Sequence, residues 1–180
     1  MIGAASEPGE NTWYVSTQFP NTGEVASPRL RAVYVQSGEL AWMAQMRPET
    51  VLQWVDPALF PDKIVVMDVP RIGADQRTST TSHLIAYDRA TGDLLWATDL
   101  EDSTEGFSDR LLAHDPERNL LFAATPGGEV FSIDPETGEI LWRTQTGFVR
   151  IIGQDEETVR LQRGSEQLEL DLQTGEAIDR

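Results

Sequence analysis

Short apolar stretches closed by turn residues run the length of the chain: HLIAYD, EVFSID, LLFAAT, KIVVMDV and TVRLQ. They are rich in aromatic and β-branched side chains, the composition of strands. No stretch carries an apolar stripe of period 3.6 over three helical turns. The pattern predicts an all-β fold.

The strands come in a repeated order. One spelling recurs as VYVQSGELAW, AYDRATGDLLW, SIDPETGEILW and LDLQTGEAID, with its glycines at Gly38, Gly92, Gly138 and Gly175. The spacings of 54, 46 and 37 residues suit four-stranded propeller blades. Each unit parses into four strands joined by hairpins: IGAAS, TWYVSTQF, LRAVYVQ and ELAWMAQ in the first, VLQWVD, KIVVMDV, HLIAYD and DLLWATDL in the second. The third reads DRLLAHD, NLLFAAT, EVFSID and EILWRTQ; the fourth reads FVRIIGQ, TVRLQR, QLELDL and EAID. The expected blades are approximately 1–46, 47–100, 101–146 and 147–180, in one segment spanning 1–180.

The recurring motif reads as a structural turn. A hairpin that reverses within about four residues wants a positive φ at its last position, which glycine supplies without steric cost. Asp88, Asp134 and Asp171 can each accept the backbone N–H two residues on, and Thr91, Thr137 and Thr174 can add hydroxyl bonds. Four residues past the glycine, Trp42, Trp96 and Trp142 fall on an outer strand, where they are expected to form a girdle between neighbouring units. Each acid is a turn cap on the rim, whereas a general acid needs convergence in a pocket.

Ala-x-Asp-x-x-Thr-Gly-x-x-x-Trp, complete at Ala86, Asp88, Thr91, Gly92 and Trp96, resembles the tryptophan-docking motif of pyrroloquinoline-quinone (PQQ) type β-propellers. The next copy matches except for Ser132; the last has Asp179 in place of tryptophan, and the first has Tyr34 for the acid and Ser37 for the threonine. The resemblance implies an all-β propeller whose family divides into quinone-dependent dehydrogenases and non-catalytic scaffolds, among them an outer-membrane assembly factor. The dehydrogenases are similar to eight-bladed rings with an axial quinone, a calcium or lanthanide ion and usually a vicinal disulfide. No metal-ligand set maps onto this chain, so no resident cofactor or metal is expected. The expected role is a non-catalytic module for protein–protein or ligand interaction; the alternatives are part of a quinoprotein dehydrogenase and a sensor or polymer-binding domain of a larger surface protein. The resemblance also implies an extracytoplasmic location.

Composition narrows the partners. Thirty acids against 14 bases give a formal net charge of −16, a field that repels nucleic acid and anionic membranes. Lys63 is the one lysine. The absence of cysteine removes disulfides, thiol catalysis and cysteine-ligated zinc. No apolar run approaches the ~20 residues of a membrane helix, and the opening MIGAASEPGENTWYV lacks the basic-then-apolar plan of a signal peptide. His83 and His114, the two histidines, are too few for a zinc site and read as strand or surface residues. The acidic run DLEDSTEGFSD lacks the alternating oxygens of an EF-hand and reads as a linker. Trp13 and Trp54 stand outside the girdle and are expected in strand cores.

A protein partner is therefore expected, with neither nucleic acid nor membrane insertion. The insertion from Pro70 to Ser82 is a candidate contact loop, and its Thr and Ser content equally suits a disordered surface excursion. Four units are fewer than the seven or eight that the resemblance implies. The expectation is either a segment of a longer protein, completed by its remaining blades, or a half-ring that self-associates about a two-fold axis.

Overall fold

The computed structural model describes residues 2–5, 10–17, 29–45, 57–68, 82–100, 111–125, 127–147 and 150–178. Among them lie fifteen strands and no helix. The first sheet holds β1 (Ile2–Ala5), β2 (Thr12–Thr17), β3 (Arg29–Tyr34) and β4 (Leu40–Gln45). The second holds β5 (Ala58–Leu59), β6 (Lys63–Asp68), β7 (Ser82–Asp88) and β8 (Leu94–Leu100). The third holds β9 (Leu112–Asp115), β10 (Leu120–Ala124), β11 (Glu129–Ile133) and β12 (Ile140–Gln145), and the fourth β13 (Arg150–Gln154), β14 (Thr158–Arg163) and β15 (Glu166–Asp171). Every strand pairs antiparallel with its sequence neighbour, so each sheet is an up-and-down meander, the build of a propeller blade. The leading strands β5, β9 and β13 approach one another in turn, which places them on the inner side of the arc.

VLQWVD lies outside the described residues; among those described, the short β5 at Ala58–Leu59 leads the second sheet. EAID does not form a ladder: among the described residues it contributes a single bridge, Leu170 to Ala177. The Pro70 to Ser82 insertion also lies outside them except for Ser82, as does the acidic run beyond Leu100.

Burial follows from position in the arc. Successive side chains on a strand point to opposite faces of its sheet. In the second sheet both faces are covered, and alternate residues divide between two cores. Ile64, Val66, Ile85 and Tyr87 join Tyr14, Leu30 and Trp42 of the first sheet. Val65, Met67, Leu84 and Ala86 join the third sheet and, through it, the fourth. Strands covered on both faces read as continuous apolar runs, hence IVVM in β6 and the buried run from Ser82 to Tyr87. In the first and fourth sheets burial alternates instead, as in β3 and β14. Neither core cluster contains residues of both the first and the fourth sheets.

This division makes a direct prediction. Ile64→Ala and Val65→Ala, adjacent in sequence but facing different cores, should both destabilise, by about 2–5 and 1–3 kcal/mol, whereas in β14 Leu161→Ala should cost about 2–5 kcal/mol and Arg160→Ala no more than about 0.5. Chemical denaturation of the four variants checks it; a large cost at only one of the β6 positions would show that one face of that strand is open.

Candidate functional site: the seams between sheets and the open first face

The same turn follows the third strand of each sheet. Asp88 N donates to the Asp93 carbonyl at 2.8 Å and Gly92 N to the Asp88 carbonyl at 2.9 Å; the same pair of bonds recurs at Asp134 with Gly138, at Asp171 with Gly175, and at Tyr34 with Gly38. The carboxylates cap these turns. Asp88 Oδ1 accepts from Ala90 N at 2.9 Å and Thr91 N at 2.8 Å, Asp134 Oδ1 from Glu136 N at 2.7 Å, and Asp171 Oδ1 from Gln173 N at 2.9 Å and Thr174 N at 2.8 Å. Thr91 and Thr174 hydroxyls donate to their capping acids at 3.1 Å, while the Thr137 hydroxyl accepts from Glu139 N at 3.2 Å. The Thr91 amide above all, with the Ala90 amide and the Thr91 hydroxyl, holds the Asp88 carboxyl below its ordinary range. The Thr174 and Gln173 amides do the same for Asp171.

The tryptophans reach across to the next sheet. Trp42 Nε1 donates to the Arg89 carbonyl at 2.9 Å, Trp96 Nε1 to the Pro135 carbonyl at 3.0 Å, and Trp142 Nε1 to the Leu172 carbonyl at 2.9 Å. In every case the acceptor stands three residues before the motif glycine of the next sheet. The indole then lies across that glycine. A Cβ built on Gly138 would fall 2.5 Å from Trp96 Cε3, one on Gly175 2.5 Å from Trp142 Cε3, and one on Gly92 2.6 Å from Trp42 Cδ2. The glycine thus meets two demands: its φ is positive, at 75° for Gly138, and its missing side chain is where the neighbour's ring sits. The alanine of the motif also acquires a reason. Ala32, Ala86 and Ser132 are the cross-strand partners of Trp42, Trp96 and Trp142, just before a bulge, and a small side chain there leaves room beside the ring.

Sequence reasoning missed several members of these seams. Thr98 Oγ1 donates to the Gly138 carbonyl at 2.5 Å and Thr144 Oγ1 to the Gly175 carbonyl at 2.7 Å, so the second and third copies of the motif extend to Trp-x-Thr, a spelling visible in LLWAT and ILWRT. The first seam has Ala44 at that place and uses Tyr14 instead: its ring meets Trp42 at 5.9 Å between centroids, and its hydroxyl accepts from Arg89 Nε at 2.8 Å. Cations strap each seam. Arg89 pairs with Glu10, Lys63 Nζ sits 2.9 Å from both Glu136 oxygens and 3.0 Å from Asp62, and Arg118 Nη1 donates to the Asp155 carbonyl at 2.8 Å. Burial works against the charge of Lys63, but the hydrogen bonds it donates to Glu136 and Asp62, with the attraction of their charges, outweigh that and its pKa stands above the ordinary value.

The histidines are committed elsewhere. His83, on β7, is buried with Nδ1 2.5 Å from Asp99 Oδ1, and His114, on β9, accepts from Leu59 N at 3.2 Å. Among the described residues, no three of His, Asp and Glu converge on a point that could hold a metal ion.

One surface stands apart. Trp13, expected in a strand core, is 50% exposed; Trp54 lies outside the described residues. Trp13 belongs to the face of the first sheet turned away from the second, with Val33 and Leu40 in its cross-strand row and Arg31 and Met43 in the next. Tyr34, Val35, Leu40 and Met43 are exposed too. Ile64 and Leu121, which stand at the register of Trp13 in the second and third sheets, are buried, whereas nothing among the described residues buries Trp13; Leu94, at the register of Leu40, is exposed like it.

The comparisons agree with this architecture. A family model described as outer membrane protein assembly factor BamB matches residues 80–178, more than half of the chain. BamB from Moraxella catarrhalis superposes with a TM-score of 0.66 at 15% identity, over 99% of this chain and 52% of that one. Two quinohemoprotein alcohol dehydrogenases are similar in fold: ADHIIG from Pseudomonas putida HK5, with a TM-score of 0.64 at 20% identity over 94% of this chain and 32% of that one, and the enzyme from Comamonas testosteroni, with 0.64 at 15% over 93% and 33%. The chain therefore spans about half the BamB structure and a third of each dehydrogenase. Among curated proteins, none matches it significantly in sequence.

The seams predict their own failure. Trp42→Ala should cost about 3–5 kcal/mol and the partly buried Trp96 and Trp142 about 3 kcal/mol each, the range for truncating a large packed aromatic. Gly138→Asn, which tolerates the turn but not the overlying indole, should destabilise as severely; an unchanged thermal midpoint would mean that the ring does not rest on the glycine. The caps add an acid limit. Because Asp88 and Asp171 are held below their ordinary 3.8, their contribution is complete above that pH and is lost as the pH falls through the lowered native values. Asp88→Asn with Asp171→Asn keeps the acceptors and removes the titration, so the acid decline in melting temperature should be shallower than in the parent.

Proposed function

We propose, starting from a chain that belongs to the PQQ-like repeat family of outer membrane protein assembly factor BamB, that these four sheets form one propeller segment acting as a non-catalytic module that binds a protein partner. The observation that carries this reading is the open face of the first sheet. Trp13, Leu40 and Met43 form an exposed apolar surface in a chain that otherwise carries a formal net charge of −16. Contiguous apolar surface of this kind on an acidic protein is the mark of a protein contact. The motif residues Trp42, Trp96 and Trp142, with Gly92, Gly138 and Gly175 and their capping acids, then serve as the docking stitches that keep the scaffold rigid. An extracytoplasmic location belongs to the same proposal and rests on the family.

A second reading, part of a quinone-dependent dehydrogenase, is favoured by the likeness to the two alcohol dehydrogenases. Among the described residues, the motif acids do not fit it. Asp88, Asp134 and Asp171 turn their carboxylates to their own backbone amides on three different sheets, where they cannot share a metal ion or act on one substrate.

Two measurements test the proposal. Incubated with pyrroloquinoline quinone, calcium and a panel of alcohols and sugars, the chain should reduce no dye; quinone-dependent turnover would overturn the module reading. As bait in an extracytoplasmic extract it should retain a protein that a Trp13→Ser, Leu40→Ser variant recovers at least about ten-fold less well, in line with truncating interface anchors. Equal recovery by both baits would move the contact off this face.

A further inference from the structure

The outer strands carry a second recurring feature beside the tryptophans. Where the third strand of a sheet pairs with the fourth, the ladder slips by one residue. Ala32 pairs with Trp42 but Val33 with Leu40, Ala86 with Trp96 but Tyr87 with Leu94, and Ser132 with Trp142 but Ile133 with Ile140. Ala41, Leu95 and Leu141 are therefore the extra residues of three bulges, and a bulge re-aims side chains that a regular ladder would alternate. Each bulge holds two consecutive apolar residues: Leu40 with Ala41, Leu94 with Leu95, and Ile140 with Leu141. Leu40, Leu94, Leu95 and Leu141 are between 46% and 62% exposed. Leu94 and Leu95 are exposed although their sheet packs on both faces, so an uncovered sheet face does not account for them. The seams join the pairs into a band. Trp42, next to the first pair, lies over Gly92, two residues before Leu94; Trp96, next to the second, lies over Gly138, two residues before Ile140.

An acid precedes every pair. Glu39, Asp93 and Glu139 directly follow the motif glycines and are exposed. In an antiparallel meander the first and third turns lie at the same end, and the bases in the described turns at that end are already engaged. Lys63 is held by Glu136 and Asp62, Arg89 by Glu10, and Arg118 by Asp115 and the Asp155 carbonyl. The band is thus apolar and its surroundings are anionic. We infer that it is a docking surface for a basic amphipathic helix, whose apolar side chains meet Leu40, Leu94, Leu95 and Leu141 while its Lys or Arg side chains meet Glu39, Asp93 and Glu139. Charge complementarity sets the sign of the partner. The course of the band sets its form, because it crosses the strands from one sheet to the next. A strand added to an outer edge would follow one sheet and reach one pair. Sheets packed face to face stand about 10 Å apart, a span that two helical turns of about 5.4 Å cover. Apolar residues about seven apart therefore meet successive pairs. A second copy of the chain is not the occupant, since it would set acids against acids at a net charge of −16. The inference rests on the module reading above and gives it a contact surface that extends over the second and third sheets.

The test uses the full chain and, as probe, a synthetic helix of leucine and lysine about two heptads long, with leucine at i, i+3, i+4 and i+7. One control peptide alternates leucine and lysine, the pattern of a strand; a second is the helix with glutamate in place of lysine. Amide resonances of Leu94, Leu95 and Leu141 should shift saturably with the leucine–lysine helix, which should bind at least about ten-fold more tightly than either control. In the chain, Leu94→Ser with Leu95→Ser and Leu141→Ser removes exposed side chains only. That variant should keep its thermal midpoint and bind the helix at least about ten-fold more weakly. Glu39→Gln with Glu139→Gln leaves every leucine in place; it should weaken the helix and flatten the salt dependence of binding. Should the serine variant melt early, the glutamine variant carries the comparison. Equal affinity for the parent and the serine variant would mean general attraction to an acidic protein, and would overturn the inference. So would an absence of saturable shifts, equal binding of the glutamate helix, or tighter binding of the alternating peptide, which makes a strand edge the site. Concentration-dependent shifts of the same amides in the chain alone would make a second copy the occupant and overturn it too. Partner capture that depends on Trp13 and Leu40 alongside a failed helix titration would sink this inference alone, whereas quinone-dependent turnover would sink the module reading whatever the helix does.

Discussion

One indole lying over one glycine, with its N–H on a neighbouring carbonyl, is the contact on which the rest of this structure depends. A meander of three or four short strands has two faces to bury and little surface of its own to bury them with, so the interior sheets depend on their neighbours to cover their apolar faces. The indole supplies a large apolar plate and a single directional bond, and the partner carbonyl is fixed by a turn that the next sheet makes in any case. Position and orientation are therefore set together. A Cβ at the glycine would intrude on the ring, and a larger residue at Ala86 or Ser132 would crowd it from its own sheet. The motif is a set of mutual clearances around one ring.

The seams are alike in that contact and differ in what surrounds it. The second and third add a threonine hydroxyl to the glycine carbonyl, while the first substitutes an aromatic pair and an arginine held by Tyr14, Phe60 and Glu10. Cations are scarce in this chain, and several of them are spent at seams, where an acid or carbonyl of the next sheet receives them. Their value there is orientation more than net stability, because desolvating an ammonium or guanidinium offsets much of the attraction it gains. Lys63 shows the balance: buried, it remains charged because two carboxylates face it.

The same geometry explains why the ends of the arc differ from its middle. Interior sheets are apolar on both faces, and the fourth alternates apolar with polar as a sheet facing water on one side should. The first sheet is covered on one side but keeps tryptophan, leucine and methionine on the other. Its open face has the composition of an interior seam, which is the physical ground for reading it as a contact surface.

The sequence by itself determined the fold class, the repeat and most of the strands. Strand periodicity and turn chemistry are local, and a motif returning at blade spacing leaves few other architectures to consider. It also singled out the motif tryptophans, glycines and acids, since Asp88 and Asp171 cap turns made of residues two and three positions away. Tertiary structure alone decided what those residues meet. That Arg89 lends its carbonyl to Trp42, that Thr98 and Thr144 close two of the seams, and that Trp13 is half exposed are facts about residues tens of positions apart or about which faces of a sheet are covered. Even the alternation of β3 and the continuity of β7, both plain in the letters, acquire meaning only when the number of covered faces is known. A local pattern records how a strand alternates; which of its faces is covered depends on what packs against the sheet, and that is a property of the assembled arc.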